Sequence, residues 1–427
     1  MGDLLIKNTR LLDGAPSDIL IRAGLIEGMA PHLPVPEGIS ILDAAGLTAM
    51  PGAIDMHVHF RTPGGEHKET LLTGALAAAK GGVTTCADMP NTSPPTTTVA
   101  RLEEKVALAA GAAVNVLYNF GADPENLDEV WLAASRPDVP AIKIYLGPST
   151  GVGGLAPHAV EAHFRQAAEL GLPVIVHAED MDIISANANR FPHDVHHHTD
   201  LRALEAELRA VEQVLELARK YTVRLYVAHT TSAEVLNRVE ASGFSDRVLV
   251  EVCPHHLVLS TDNIEDPVEN RFKVNPPVRP KEEQAALMES LRRVGCLGSD
   301  HAPHTLEEKE APYDKAPSGM PGVEYLLPFA LTWWQEGRID AEQLVALTAG
   351  RAARFFGLNK GELAIGKDGD VVLVDPTFQW RVGEGEDRIM SKCGWSPYVG
   401  KDMQGSPRAT IVGGRITYQA SPMIPAQ

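Results

Sequence analysis

Short apolar runs alternate with Ala- and Leu-rich stretches through most of the chain, from about residue 51 onward. Eight runs are strand-like in composition: GAIDMHVHF, GVTTCADM, AAVNVLYNF, PAIKIYLG, LPVIVHAE, VRLYVAHT, RVLVEVCP and GCLGSD. Each is followed by a helical segment or room for one, such as ETLLTGALAAAKGG, which ends at Gly81 and Gly82. Eight such units predict a (β/α)8 barrel, with a doubly wound open sheet as the alternative. The first strand has no glycine-rich phosphate loop after it, which disfavours the open sheet.

The two ends of the chain follow a different pattern. The first fifty residues and the segment after about residue 358 contain short alternating apolar runs, broken by Gly, Pro and Asp. We therefore predict an α/β protein in two parts. Residues 51–357 form the TIM-like barrel, and residues 1–50 and 358–427 together form a small β-sandwich beside it.

Composition narrows the class of partner. The 427 residues include 38 Lys and Arg against 56 Asp and Glu, a net charge of −18, which disfavours nucleic acid or an anionic membrane as the main partner. The sequence has no apolar run of membrane-spanning length and no secretory signal at its N-terminus. We expect a cytoplasmic protein with reduced, mostly buried thiols at its four widely spaced cysteines, Cys86, Cys253, Cys296 and Cys393.

Metal-binding residue types mark the ends of the predicted strands. His57 and His59 form an H-x-H pair whose side chains lie on one face of strand one. The other strands contribute Lys143, His177, His229 and Asp300. Any one of these histidines could be an ordinary core residue, but all of them on the same rim of a barrel predict a shared site. Four histidines and an aspartate suit zinc or a similar divalent ion.

Lys143 lies in the middle of the apolar strand AIKIY, where a lysine is rare. One interpretation is an edge strand whose lysine reaches solvent. The other follows from its neighbours: a protonated lysine cannot bind a metal, but its carbamate, formed with CO2, is a carboxylate on a long arm. Burial favours the unprotonated amine that captures CO2. Lys143 therefore predicts a binuclear rather than a mononuclear site.

Several motifs together resemble the dihydroorotases of the amidohydrolase superfamily, from about residue 5 to residue 418. They are PGAIDMHVHFRTPGGEHKET, GGVTTCADMPNTSPPTT, AIKIYLG, VIVHAE, VCPHHLVLS, KVNPPVR and SDHAPHTLEEK. The resemblance implies a zinc enzyme that interconverts N-carbamoyl-aspartate and dihydroorotate in pyrimidine synthesis. It also implies two Zn²⁺ per chain, bridged by a hydroxide and by N6-carboxylated Lys143. The implied ligands are His57, His59 and Asp300 for one zinc and His177 and His229 for the other, with Asp300 also the proton shuttle.

Arg61 is the expected substrate residue, because it follows His59 by two positions on the same face and can bind a carboxylate as a fork. The resemblance adds Asn91, Asn275 and His304 around the carboxylate and the ring. The alternatives are a rim salt bridge for Arg61 and a turn cap for Asn91.

Other segments receive more modest interpretations. The glycine-rich segment 147–155 is a candidate lid, with Ser149 or Thr150 touching the substrate. The histidine-rich segment HDVHHHTD is expected to be a solvated loop, and the two histidines of CPHHL are expected to support the site rather than to bind metal.

Two other functions stay open. A hydantoinase, dihydropyrimidinase or allantoinase would share the metal ligands, although Arg61 and SDHAPHTLEEK disfavour them. An inactive scaffold for aspartate transcarbamoylase is disfavoured because all six ligands are present. The resemblance also implies a small-molecule substrate, a homodimer and a possible association with aspartate transcarbamoylase.

Overall fold

The computed structural model describes residues 2–147, 153–264, 269–385 and 387–421. Its strands are β1 (Leu4–Arg10), β2 (Pro16–Arg22), β3 (Leu25–Ala30), β4 (Ser40–Asp43), β5 (Thr48–Pro51), β6 (Ala53–Val58), β7 (Val83–Asp88), β8 (Asn115–Tyr118), β9 (Phe120–Gly121), β10 (Ile142–Tyr145), β11 (Val174–His177), β12 (Leu225–Val227), β13 (Val248–Val252), β14 (Cys296–Leu297), β15 (Val371–Arg381), β16 (Asp402–Val412) and β17 (Arg415–Gln419).

The helices lie mostly between the central strands. They are α1 (Leu71–Lys80), α2 (Val99–Leu108), α3 (Leu127–Ala133), α4 (Pro157–Leu170), α5 (Met181–Ala188), α6 (His198–Leu201), α7 (Leu204–Tyr221), α8 (Ala233–Ala241), α9 (Pro254–Val258), α10 (Lys281–Glu289), α11 (Leu306–Lys309), α12 (Leu326–Gln335), α13 (Ala341–Val345) and α14 (Arg351–Phe356). A π-helical turn, Ala346–Gly350, joins α13 to α14. Across the described residues, none of these helices has both the length and the apolar character needed to cross a membrane.

The eight predicted central strands all form, and they pair in parallel. One ladder runs β6–β7–β8, and the other runs from β9 through β10, β11, β12 and β13 to β14. Only Asn119 separates β8 from β9, and the backbone N–H of Tyr118 in β8 bonds to the carbonyl of Asp138 just before β10. A bridge between Val58 and His301 closes the other side. The result is the (β/α)8 barrel that the sequence predicts.

The two chain ends also pair, as the sequence predicts. They form one eight-stranded sheet in the order β17-β16-β15-β5-β1-β2-β3, with β4 beside β1. β15 runs antiparallel to β5, so that Val371 lies opposite Pro51. β15 and β16 have eleven residues each and are longer than the short strands that the pattern suggests. The division of the two parts at residues 50 and 358 stays a prediction.

Helix α1 shows how local sequence sets the boundaries of one element. Thr70 caps its N-terminus in a reciprocal pair with Thr73, and the predicted stop lies at Gly81. A Cβ on Gly81 would come within 2.8 Å of the carbonyl oxygen of Glu324, so the close approach of this loop requires glycine. The alanines of α1 pack against the core that the barrel and the sheet share.

The barrel interior is layered, because alternate residues of a strand face the same side. The lower layer is apolar and consists of Ala141, which directly precedes β10, Ile175 of β11 and Leu249 of β13. Two residues further along the same strands, toward their carboxyl ends, come Lys143, His177 and Glu251. All three are buried polar groups. The upper layer of the barrel therefore holds its chemistry.

Candidate metal centre and substrate pocket

His57, His59 and Asp300 form the first cluster of candidate ligands. Nε2 of His57 lies 3.2 Å from Oδ1 of Asp300, and Nε2 of His59 lies 3.0 Å from the same oxygen. One donor atom from each residue lies within 4.8 Å of the others, a separation that suits one metal ion. Burial alone would raise the pKa of Asp300, but the neighbouring imidazoles hold it well below its ordinary value. Asp300 is therefore an ionised carboxylate in a nearly dry site.

His177 and His229 form the second cluster. Nδ1 of His177 lies 2.8 Å from Nε2 of His229, and both rings are buried. Burial is the main cause that lowers the pKa of each ring, so both stay neutral, as metal binding requires. The ring centroid of His229 is 5.2 Å from that of His57, so the two clusters adjoin.

Lys143 is fully buried on β10, which has paired strands on both sides. The interpretation as a solvent-reaching edge lysine is therefore wrong. Among the described residues its Nζ has no hydrogen-bond partner and lies 4.9 Å from the centroid of the Tyr145 ring. Burial lowers its pKa to about 8, an effect that the charges of Glu251 and Asp300 partly oppose. The same Tyr145 ring lies 6.0 Å from the ring of His177, so the amine is on the side of the second cluster.

Two buried carboxylates orient candidate ligands by accepting a hydrogen bond from one ring nitrogen of each histidine. Nδ1 of His57 donates to Glu251, whose two oxygens are each 3.1 Å away. Nε2 of His177 donates to Oε2 of Glu179 at 2.8 Å, and Arg202 forms a salt bridge with the same carboxylate. Burial is the largest single influence and would raise the pKa of Glu179, but the charges and hydrogen bonds of Arg202 and His177 together hold it below its ordinary value. Carboxylates in this position fix the tautomer and raise the basicity of a metal-binding histidine.

Neither carboxylate is among the residues predicted from the sequence, although the sequence contains a signal for each. Glu251 is a charged residue inside the apolar strand VLVEV, which is the same anomaly that drew attention to Lys143. Glu179 follows His177 by two positions and therefore shares its side of the chain.

The predicted substrate residues meet beside the first cluster. Arg61, Asn91 and Asn275 line one small pocket together with His59 and Asp300. This pocket shares Asn275 and Ser318 with an adjoining cavity of about 200 Å³.

Arg61 is buried and held in place by two contacts. Its Nε donates to the carbonyl of Pro303, and its Nη2 lies 3.0 Å from Nε2 of His304. Burial lowers its pKa to about 10, so the guanidinium stays charged at neutral pH. Neither contact is to a carboxylate, which disfavours the rim salt bridge considered for Arg61. Asn91 accepts a hydrogen bond from Nδ1 of His59 at 2.6 Å and therefore links the pocket to the metal ligands.

The backbone around the site is strained at three of its residues. Arg61, His229 and Asp300 have φ values of +60°, +40° and +42°, which side chains other than glycine rarely adopt. Gly319 closes the pocket with a φ of +135°, and a Cβ there would lie 2.6 Å from the carbonyl oxygen of Ala302. Such strain persists where the surrounding fold fixes the position of functional groups.

The histidine-rich segment is partly misassigned by the sequence analysis. His193 and His196 are exposed, as predicted, but His198 is buried. Nε2 of His198 lies 3.0 Å from Oδ1 of Asn275, and its Nδ1 lies 2.6 Å from the hydroxyl of Tyr313. The ring therefore supports a pocket residue 77 positions away, a pairing with no local signature.

The remaining candidates fall into two groups. Ser149 and Thr150 of the predicted lid lie outside the described residues. His255 and His256 follow β13 and are buried, and each places one donor atom within 4.8 Å of the other and of the Cys253 sulfur. Nε2 of His256 lies 3.1 Å from the carbonyl of Pro276, one residue after Asn275, which fits the supporting role predicted for this pair.

Comparison with known proteins gives three consistent results. Residues 48–417 match the model of the amidohydrolase family. The chain is 37% identical to a dihydroorotase of Halobacterium salinarum, over 96% of this chain and 95% of the relative. It is 33% identical to a dihydroorotase of Methanosarcina acetivorans, over 98% of this chain and 92% of that relative. Among solved structures it is similar to the L-hydantoinase (dihydropyrimidinase) of Arthrobacter aurescens, with a TM-score of 0.90, 29% identity and coverage of 98% and 96%. It is also similar to a dihydropyrimidinase from Brevibacillus agri, with a TM-score of 0.88, 25% identity and coverage of 98% of this chain and 95% of that chain.

Proposed function

The chain belongs to the amidohydrolase family, and from that premise we propose that it interconverts N-carbamoyl-L-aspartate and (S)-dihydroorotate in pyrimidine synthesis. Dihydroorotate is a cyclic amide that carries a carboxylate, whereas the rings of hydantoin and dihydrouracil carry none. The observation that supports this choice is Arg61, a buried and charged guanidinium in the pocket that also contains His59 and Asp300. Its hydrogen bonds go to the Pro303 carbonyl and to His304 and not to a carboxylate, so the guanidinium keeps donors for the carboxylate of a substrate.

Family membership implies a metal cofactor, and the donor set of this chain fits one. We assign His57, His59 and Asp300 to one zinc and His177 and His229 to the other. Lys143, once carboxylated by CO2, would supply a carboxylate to both ions. The support for the bridge is the buried amine with no hydrogen-bond partner among the described residues and with a lowered pKa. Zinc at these positions would polarise a ring carbonyl and lower the pKa of water toward neutrality.

The protein's own groups then divide the work. Arg61 binds the substrate carboxylate, with Asn91, Asn275 and His304 around it, and this orients the ring toward the metal ligands. Asp300 lines the same pocket and is ionised, so it can take a proton from the attacking water and pass it to the ring nitrogen that leaves. In the direction of ring closure the same carboxylate returns the proton.

The alternative function is hydrolysis of a neutral cyclic amide. The similarity to the Arthrobacter aurescens L-hydantoinase favours it, because the two folds superpose over nearly their whole length. Since both functions use the same metal ligands, the pocket residues must decide between them.

The decisive experiment is hydrolysis by the protein purified with zinc and bicarbonate, followed on dihydroorotate, dihydrouracil and allantoin in parallel. Turnover of dihydroorotate alone supports the proposal. Turnover of only the neutral rings would leave the metal assignment intact and overturn the role of Arg61. Binding of zinc without turnover of any of the three would contradict the proposed substrate.

The proposal also extends to the assembly and location of the protein. A homodimer, an association with aspartate transcarbamoylase and a cytoplasmic location stay predictions. Analytical ultracentrifugation of the chain, with and without a transcarbamoylase, would test the first two.

A further inference from the structure

A surface pocket of about 530 Å³ lies at the opposite end of the barrel from the metal cluster. It is formed where strands β12 and β13 begin, whereas the candidate ligands lie in or just after the carboxyl-terminal halves of the strands. Its lining contains four arginines and one acidic side chain: Arg224, Asp246, Arg247, Val248, Leu249, Arg351, Arg354 and Phe355.

The fold brings the four arginines together from three separate elements. Arg224 and Arg247 directly precede Leu225 and Val248, which are partners in the parallel ladder between β12 and β13. The other two arginines are three positions apart on α14 and therefore share one side of that helix. This convergence is a property of the tertiary structure and leaves no motif in the sequence.

None of the four arginines forms a salt bridge with an acidic residue in the part of the chain that the structure describes. Such pairs are common elsewhere in this protein, as in Arg293 with Glu240 and Arg101 with Glu104. With Asp246 as the one carboxylate in the lining, the pocket carries a local charge of about +3, within a chain of net charge −18.

Backbone carbonyls hold three of the guanidiniums without neutralising them. Arg224 donates to the carbonyls of Phe355 and Gly171, Arg247 donates to that of Thr222, and Arg351 donates to that of Val294. An arginine has five N–H groups, so each keeps donors for a further partner.

The pKa values agree with this crowding of positive charge. Burial is the main cause that lowers the pKa of Arg224, and the charge of Arg247 lowers it further. Burial is also the main cause that lowers the pKa of Arg351. The like charge of Arg354 lowers it further, whereas Cys296 and Glu342 oppose this in part. Bringing like charges together is unfavourable, and a multivalent anion would relieve that cost.

We propose that this pocket binds the diphosphate or triphosphate group of a small molecule. Guanidinium forks match phosphate oxygens in pairs, and two or three phosphates balance the local positive charge. The volume of the pocket falls within the range of small-molecule sites, so it suits a ligand of nucleotide size. Phe355 supplies an aromatic ring at its edge, with the Arg224 guanidinium 5.8 Å from the ring centroid.

The test is isothermal titration of the metal-loaded protein with pyrophosphate, tripolyphosphate, ATP and UTP, at about 0.15 M salt so that diffuse charge effects are screened. The variant is the double substitution Arg247→Gln/Arg354→Gln, since both side chains are exposed and their loss leaves packing intact. The control is Arg101→Gln/Arg293→Gln, which removes the same charge from exposed arginines elsewhere.

We expect saturable binding that is at least about 10-fold weaker in the double variant and unchanged in the control, because charge-assisted hydrogen bonds are lost. Tighter binding of ATP or UTP than of tripolyphosphate would identify a nucleotide as the natural ligand, and equal binding would identify the phosphate chain alone. Absence of saturable binding overturns the proposal. Binding that persists in the double variant belongs to the metal centre and also overturns it, as does an equal loss in the control.

Discussion

Replacement of Lys143 by methionine should make the metal-free protein more stable while it destroys the metal centre. The lysine is fully buried, and its Nζ finds no hydrogen-bond partner among the described residues. Methionine has nearly the same length and no charge, so Lys143→Met removes the buried charge with little change in packing. A residue that costs stability is expected to be retained for function.

The magnitude follows from the environment of the amine. Burial lowers the pKa of Lys143 from 10.5 to about 8. At 1.36 kcal/mol for each tenfold change in proton affinity, the protonated amine costs the fold about 3 kcal/mol. This cost is complete below about pH 8 and disappears as the pH rises toward 10.5, because the unfolded chain holds the proton more tightly. Loss of the contact with the Tyr145 ring offsets about 1 kcal/mol, which leaves a gain of about 2 kcal/mol.

The assay is urea unfolding of both proteins near neutral pH, after metal removal and in buffer depleted of CO2, so that the amine stays a free lysine. Lys105→Met is the matched control. Lys105 is equally buried but pairs with Asp88 at 2.6 Å, so its loss strands a carboxylate and should cost about 3–5 kcal/mol. With zinc and bicarbonate restored, the wild type should take up two metal ions and turn over substrate, and Lys143→Met should do neither.

Two results would refute this reasoning. If Lys143→Met unfolds at lower urea than the metal-free wild type, the amine has a stabilising partner that the structure does not show. If the variant keeps two metal ions and normal turnover, Lys143 does not bridge the centre.

Three further outcomes are expected. Glu251→Gln should weaken zinc binding about 10- to 100-fold, because the amide holds the His57 ring less strongly than the carboxylate does. Competition with a chelator measures the affinity, and an unchanged affinity would mean that Glu251 does not position His57. Lys80→Met should lower the free energy of unfolding by about 3 kcal/mol, since it leaves the carboxylates of Glu324 and Asp387 with hydrogen-bond donors but without their cation. Urea unfolding measures this, and a loss below about 1 kcal/mol would show that water replaces the pair. Chelation of the metal should abolish turnover without changing far-ultraviolet circular dichroism, and zinc should restore it; a chelated enzyme that stays active would contradict the metal requirement.

The fold was predictable because its signals are local and repeated. Eight apolar runs with helical segments between them can form few architectures other than a barrel. The sequence predicts that the two chain ends form strands beside the barrel. It does not predict which strands pair, because β15 and β5 are more than 300 positions apart. No local pattern encodes that register, which depends on how the completed barrel positions both ends.

The candidate site was predictable where single residues contradict their surroundings. Lys143 is such a residue. The H-x-H motif is another signal, because it places two histidines, which commonly bind metals, on one face of a strand. The residues that hold the site residues in place were harder to predict from the sequence. His198 appeared to belong to a solvated loop because its partners, Asn275 and Tyr313, are 77 and 115 positions away. The pocket of arginines was invisible for the same reason, since its members come from three elements.

The selectivity of the enzyme between a charged and a neutral ring tests the central claim most directly. The measurement is the ratio of kcat/KM for dihydroorotate to kcat/KM for dihydrouracil, in the wild type and in Arg61→Gln. If Arg61 binds the substrate carboxylate, the ratio should fall by about 100-fold or more in the variant, because a buried charge pair is lost only with dihydroorotate. Turnover of dihydrouracil should change little. A ratio that is the same in both proteins would contradict the assignment of Arg61, and with it the choice of dihydroorotate as the substrate.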